Sequence, residues 1–134
     1  MTQAEKRILI VDDDHELLKL MRVLLSRLDV EIIEATNAAD AAQILRTQPT
    51  PDLLLLDLIL PDVSGVELLK QIRAKPQFDR MLVIVLSAMI DPDEIRAALD
   101  AGADRYLTKP YISNNLVSVV TEVFRAGRRA QSGA

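Results

Sequence analysis

The chain predicts an α/β domain built on a five-stranded parallel sheet, and three observations carry that prediction. Short apolar runs alternate five times with stretches whose apolar residues recur at helical spacing. Two of the runs, Leu53 to Leu56 and Leu82 to Leu86, are unbroken, as expected of strands covered on both faces. Proline and glycine cluster at joints between elements: Thr47 to Asp52 holds two prolines, and Leu60 to Gly65 holds Pro61 and Gly65. Strict strand-helix alternation implies right-handed crossovers and helices on both faces of the sheet.

The elements follow in order. Ile8 to Val11 is a first strand, and Leu17, Leu20, Met21, Leu24, Leu25 and Leu28 mark the helix after it. Glu31 to Ala35 is the second strand; Ala38, Ala41, Ala42 and Leu45 form the apolar stripe of the second helix. The third strand, Leu53 to Leu56, leads through the Pro61–Gly65 turn to a helix marked by Val66, Leu69 and Ile72. Leu82 to Leu86 is the fourth strand, and Ile95, Ala98 and Leu99 mark a fourth helix that Gly102 stops. Arg105 to Leu107 is the fifth strand, followed by a helix carrying Leu116, Val119, Val120, Val123 and Phe124. From Arg125 to Ala134 the periodicity fades, as in a frayed helix end or the start of a linker. The expected division is one domain over residues 1–126 and a tail over 127–134.

At 134 residues the chain has room for one sizeable core and not for two. It is 49% hydrophobic with a net charge of −4, which excludes disorder and offers no basic face to a nucleic-acid backbone. Without cysteine it has no disulfides, thiolate metal sites or thiol redox chemistry. The longest apolar run, Met81 to Leu86, is far short of the roughly 18 residues of a membrane span. The polar residues Met1 to Arg7 lack a signal-peptide core, so a cytoplasmic protein is expected.

Four of the five strands close on residues suited to phosphate chemistry: Asp12, Asp13 and Asp14; Asp57; Ser87; and Thr108 with Lys109. In an open parallel sheet, ligands bind beyond the carboxyl ends of the strands, so these endings converge. Three carboxylates gathered there repel: each pair at ~4 Å costs about 4 kcal/mol at an effective dielectric near 20, and together they approach the stability of a domain. A divalent cation neutralises them, and Mg²⁺ suits best because it takes one or two carboxylates, waters and a phosphate oxygen. Asp57 beside such an ion is a competent nucleophile for a phosphoryl group. Ser87 and Lys109 supply a hydroxyl donor and a cation for its oxygens. Taken singly, each residue has a plainer reading: Asp14 as a helix cap, Asp57 as a turn residue, Ser87 as a strand terminus, Lys109 as a surface charge. Pro110 after Lys109 permits a cis bond that would aim the lysine inward.

With "ILIVDDD", "LLLLDLILPDVSG", "VIVLSA" and "GADRYLTKPY" in that order, the chain resembles the receiver domain of two-component response regulators from Arg7 to about Arg125. The resemblance implies a flavodoxin-like strand order 2-1-3-4-5. It implies Asp57 as phosphoacceptor, Asp12, Asp13 and Asp57 as Mg²⁺ ligands together with the backbone carbonyl of Ile59, and Ser87 and Lys109 as the phosphoryl-contacting pair. Ala88 is then the small neighbour that keeps the pocket open, and Tyr106 the switch aromatic that enters the space vacated when phosphate draws Ser87 inward. Ile59 and Met89, each two residues beyond a site residue, give an attacking water only apolar side chains, so slow hydrolysis of the acyl phosphate is expected.

The partners implied are a sensor histidine kinase or histidine phosphotransfer protein and a downstream effector or output domain. Val119 and Thr121 stand where DNA-binding relatives carry arginines for a charged dimer face. A monomer or a weak phosphorylation-dependent dimer is therefore expected, with no direct contact to nucleic acid or membrane. His15 reads as a surface residue. Two alternatives remain at this level. Asp12 and Asp14 form the D-x-D of haloacid-dehalogenase-like phosphatases, although Glu16 stands where those enzymes want threonine. A flavin binder would need the glycine-rich loop and the stacking rings that the chain lacks.

Overall fold

The computed structural model describes residues 6–88, 91–109 and 112–129. Its elements are β1 (Lys6–Val11), α1 (His15–Leu25), β2 (Val30–Ala35), α2 (Ala38–Thr47), β3 (Leu53–Asp57), α3 (Gly65–Arg73), a short 3₁₀ turn (Pro76–Phe78), β4 (Leu82–Ser87), α4 (Pro92–Asp100), β5 (Arg105–Thr108) and α5 (Ile112–Ala126). The strands form one sheet in the order β2-β1-β3-β4-β5, and every neighbouring pair is parallel. Both the α/β class and the 2-1-3-4-5 order are as expected.

Two apolar layers, one on each face of the sheet, follow from the two-residue period of the strands. Leu9, Val11, Leu54, Leu56, Val83 and Val85 point to the face covered by α2, α3 and α4. Ile8, Ile10, Leu53, Leu55, Ile84 and Leu86 point to the face covered by α1 and α5. A leucine in β3 meets helices whichever way it points, and this explains the unbroken apolar run: Leu53 to Leu56 are all fully buried. Burying each such side chain stabilises the fold by about 1.5–3 kcal/mol.

Three local features depart from the sequence expectation. Helix α1 stops at Leu25, and Leu28 packs on the core from a turn in which its N–H donates to the Leu25 carbonyl. The 3₁₀ turn at Pro76–Phe78 has no helical periodicity to announce it; it buries Phe78 beside α3. After α5, where a frayed end is expected, Gly127 turns the chain at φ +77° and Arg128 and Arg129 bond to Asp104.

Candidate functional site at the carboxyl ends of the strands

The site is built by the ends of β1, β3, β4 and β5. Asp12 directly follows β1, and its N–H donates to the Ala35 carbonyl at 3.1 Å, which holds the residue at the sheet edge with its carboxylate buried. Oδ1 accepts from the Asp14 N–H at 2.9 Å. Asp57 closes β3 and is 2% exposed; its Oδ1 accepts from the Ile59 N–H at 3.2 Å. Lys109 follows β5 and places Nζ 3.0 Å from Asp57 Oδ2 and 3.3 Å from Asp12 Oδ2. Asp13 is exposed, yet one of its oxygens joins those of Asp12 and Asp57 in a cluster whose atoms lie within 4.8 Å of one another.

Charge in this cradle is incompletely balanced. Asp12 is pushed above the usual carboxylate range, chiefly by burial and further by the Asp57 charge, against the pull of the Asp14 N–H and Lys109. Burial on its own lowers the Lys109 ammonium, but the hydrogen bond to Asp57 and the charges of Asp12 and Asp57 outweigh it, and the net shift is upward. Among the described residues no group makes a well-formed hydrogen bond to the buried Asp12 Oδ2, which faces the Lys109 ammonium at 3.3 Å. A buried carboxylate oxygen left with a single ion pair, beside two more carboxylates, suits a hard divalent cation. The acidic cluster could therefore hold a metal ion.

Ser87, the last residue of β4, is buried, and Ala88 after it is exposed. Tyr106 packs partly buried against the core under α4. Burial raises its phenol, a hydrogen bond with Ser87 pulls the other way, and the charges of Glu94 and Asp57 add to the rise. In this structure the tyrosine hydroxyl thus already reaches Ser87, which places the two expected switch residues in contact. Ile59 is 56% exposed beside the acceptor. Met89 and Pro110 lie outside the described residues, and with them the Lys109–Pro110 bond.

Asp14 does not join the cradle. Its Oδ1 accepts from the Glu16 and Leu17 N–H groups and caps α1. The second aspartate of the D-x-D is therefore occupied as a cap, and the haloacid-dehalogenase-like alternative is not supported. His15 is exposed on the first turn of the same helix.

One residue that shapes the site escaped the sequence reading. A Cβ on Gly65 would stand 2.4 Å from the Asp57 carbonyl oxygen and 2.7 Å from Leu58 Cα, so α3 starts directly against the acceptor turn. The Gly65 N–H donates to the Leu58 carbonyl at 2.7 Å, and the Leu58 N–H donates to the Leu86 carbonyl at 3.3 Å, which clamps the turn from both sides. Its only sequence signal is the Pro61–Gly65 spacing, legible as a turn.

Comparison with known proteins identifies the family. Residues 8–121 match the model of the response regulator receiver domain. The chain is 39% identical over 104 residues to the transcriptional regulatory protein KdpE of Mycobacterium tuberculosis, covering 78% of this chain and 44% of that one. It is 34% identical over 122 residues to the phosphate regulon transcriptional regulatory protein PhoB of Rhizobium meliloti, covering 91% and 53%. The chain thus spans about half the length of these curated relatives. Among solved structures it resembles the phosphorylated cyanobacterial phytochrome response regulator RcpA, with 31% identity, 92% and 91% coverage and a TM-score of 0.75.

Proposed function

The chain belongs to the response regulator receiver domain family, and on that footing we propose that it takes one phosphoryl group onto Asp57 from the phosphohistidine of a sensor kinase or phosphotransfer protein in the cytoplasm. The observation that carries this reading is the ammonium of Lys109 bridging Asp57 and Asp12 in a cradle where three carboxylates meet.

One Asp57 oxygen attacks phosphorus, the P–N bond to the donor imidazole breaks, and the imidazole leaves with the bonding electrons. Charge on the equatorial oxygens meets Lys109 Nζ and the Ser87 hydroxyl, both at the strand ends before the donor arrives. Asp12, Asp13, Asp57 and the Ile59 carbonyl would hold Mg²⁺, which when bound neutralises the carboxylates and the phosphoryl oxygens. Ala88 leaves the approach open. Once phosphate claims the Ser87 hydroxyl, the Ser87–Tyr106 hydrogen bond must be remade, and that exchange alters the surface around Tyr106, α4 and α5, where an effector or output domain reads it. Val119 and Thr121 lack the charge for an arginine-based dimer face, so the working state is a monomer or a weak phosphorylation-dependent dimer. The proposed receiver unit is residues 1–126, with 127–134 as its C-terminal extension.

The test is uptake of label from acetyl phosphate with Mg²⁺. The parent chain should take one phosphoryl group, Asp57→Asn none, and Lys109→Ala about a hundredfold less, as loss of a preorganised charge at a developing anion costs elsewhere. With Ile59 unable to hold a water, the label should persist for minutes. Uptake by Asp57→Asn equal to the parent would overturn the assignment.

A further inference from the structure

At the amino-terminal end of the strands, opposite the cradle, the chain buries a charge that phosphoryl transfer does not use. Asp104, just before β5, is 1% exposed. Its Oδ2 accepts from the Val83 N–H at 2.9 Å and Arg73 Nη2 at 3.3 Å; its Oδ1 accepts from Arg128 Nε at 2.8 Å and the Arg129 N–H at 2.7 Å. A buried carboxylate must be satisfied in this way to persist. Two of these four donors come from residues just past α5.

The local chain is shaped to deliver them. The Gly127 N–H closes α5 on the Val123 carbonyl at 2.9 Å, and the positive φ of Gly127 turns the backbone away from the helix axis. Arg128 Nη1 also donates to the Asp79 carbonyl at 2.5 Å. Arg129, held by its backbone, lines an open groove of about 520 Å³ with Pro92, Ile95, Arg96 and Leu99 on the outer side of α4. Asp104 and Tyr106 are two residues apart and so lie on one side of the same extended segment.

We propose that residues 127–129 are a latch captured by Asp104, which ties the C-terminal end of the domain to the head of β5 and to the outer side of α4. The exit of the chain is then fixed to the strand that carries Tyr106 and ends beside Lys109, instead of hanging from the end of α5. This inference is independent of phosphorylation.

The absence of cysteine allows a single spin label at Arg129→Cys, which keeps the backbone N–H that Asp104 binds. The label should broaden the amide signals of Ile95 to Leu99. Adding Arg128→Ala should remove most of that broadening and speed exchange of the residue 129 amide by about tenfold, as in a local opening. Arg73 and Val83 still hold Asp104 in that variant, so the fold should survive; if it does not, Arg128→Lys, which keeps the charge without the fork, is read in the same way. Broadening and exchange unmoved by loss of the Arg128 fork would overturn the latch.

Discussion

Asp12 is a carboxylate whose charge is held where burial disfavours it. Its folded pKa lies above the 3.8 of a free aspartate, so the folded state binds the proton more tightly than the unfolded one. Stability is therefore lost as pH rises from 3.8 through the folded value, and the loss persists at neutral pH. Without divalent ions, Asp12→Asn should stabilise the protein at pH 7 by on the order of 1 kcal/mol, since it removes a charge whose burial outweighs its attraction to Lys109. The gain should shrink towards zero as pH approaches 3.8, where both states of the parent are protonated. Thermal melts of both proteins at pH 7 and pH 4 check this; a variant less stable at pH 7 would mean that Lys109 more than compensates Asp12. Lys109 works in the other direction: its raised pKa gives a stabilisation that is complete below 10.5 and lost only above it, so it contributes nothing to pH dependence near neutrality.

Where elements meet, two residues between the end of β3 and the start of α3 set the alignment. Gly65 allows α3 to begin against the acceptor turn, and Gly65→Ala forces a methyl group into backbone atoms at 2.4 and 2.7 Å. Backbone cannot rotate away as a side chain can, so a loss of about 3 kcal/mol in urea unfolding is expected, together with reduced uptake of label. Asp62 reaches across to another helix: its carboxylate accepts from the N–H groups of Ala38 and Ala39, both at 2.9 Å, at the start of α2. Those bonds hold its pKa below that of a free aspartate, so its contribution is present above pH 3.8 and disappears as pH falls through the folded value. Asp62→Asn should lower the melting temperature at pH 7, and the difference from the parent should close in acid. A difference that persists unchanged to pH 2 would show that the carboxylate charge is not what matters.

For the whole molecule, a cluster of like charges in the folded state makes stability dependent on what fills it. A divalent ion that binds the folded chain and not the unfolded one adds about 2.7 kcal/mol at a hundred times its dissociation constant. Magnesium should therefore raise the urea midpoint of the parent and leave that of Asp12→Asn nearly unmoved; an equal rise in both would place the ion elsewhere. Strand and helix identity, their alternation and the closure of four strands on Asp12, Asp57, Ser87 and Lys109 are legible in the sequence. Each is a local pattern: period two or 3.6 and the residue that ends it. Even the Asp14 cap is local, since it acts within three residues. The tertiary structure alone decided which partners other distant residues find: Asp62 on α2, Gly65 against β3, and Arg128 on Asp104. Those contacts leave no periodic trace, because what determines them is the distance between packed elements, and no stretch of sequence carries that distance by itself.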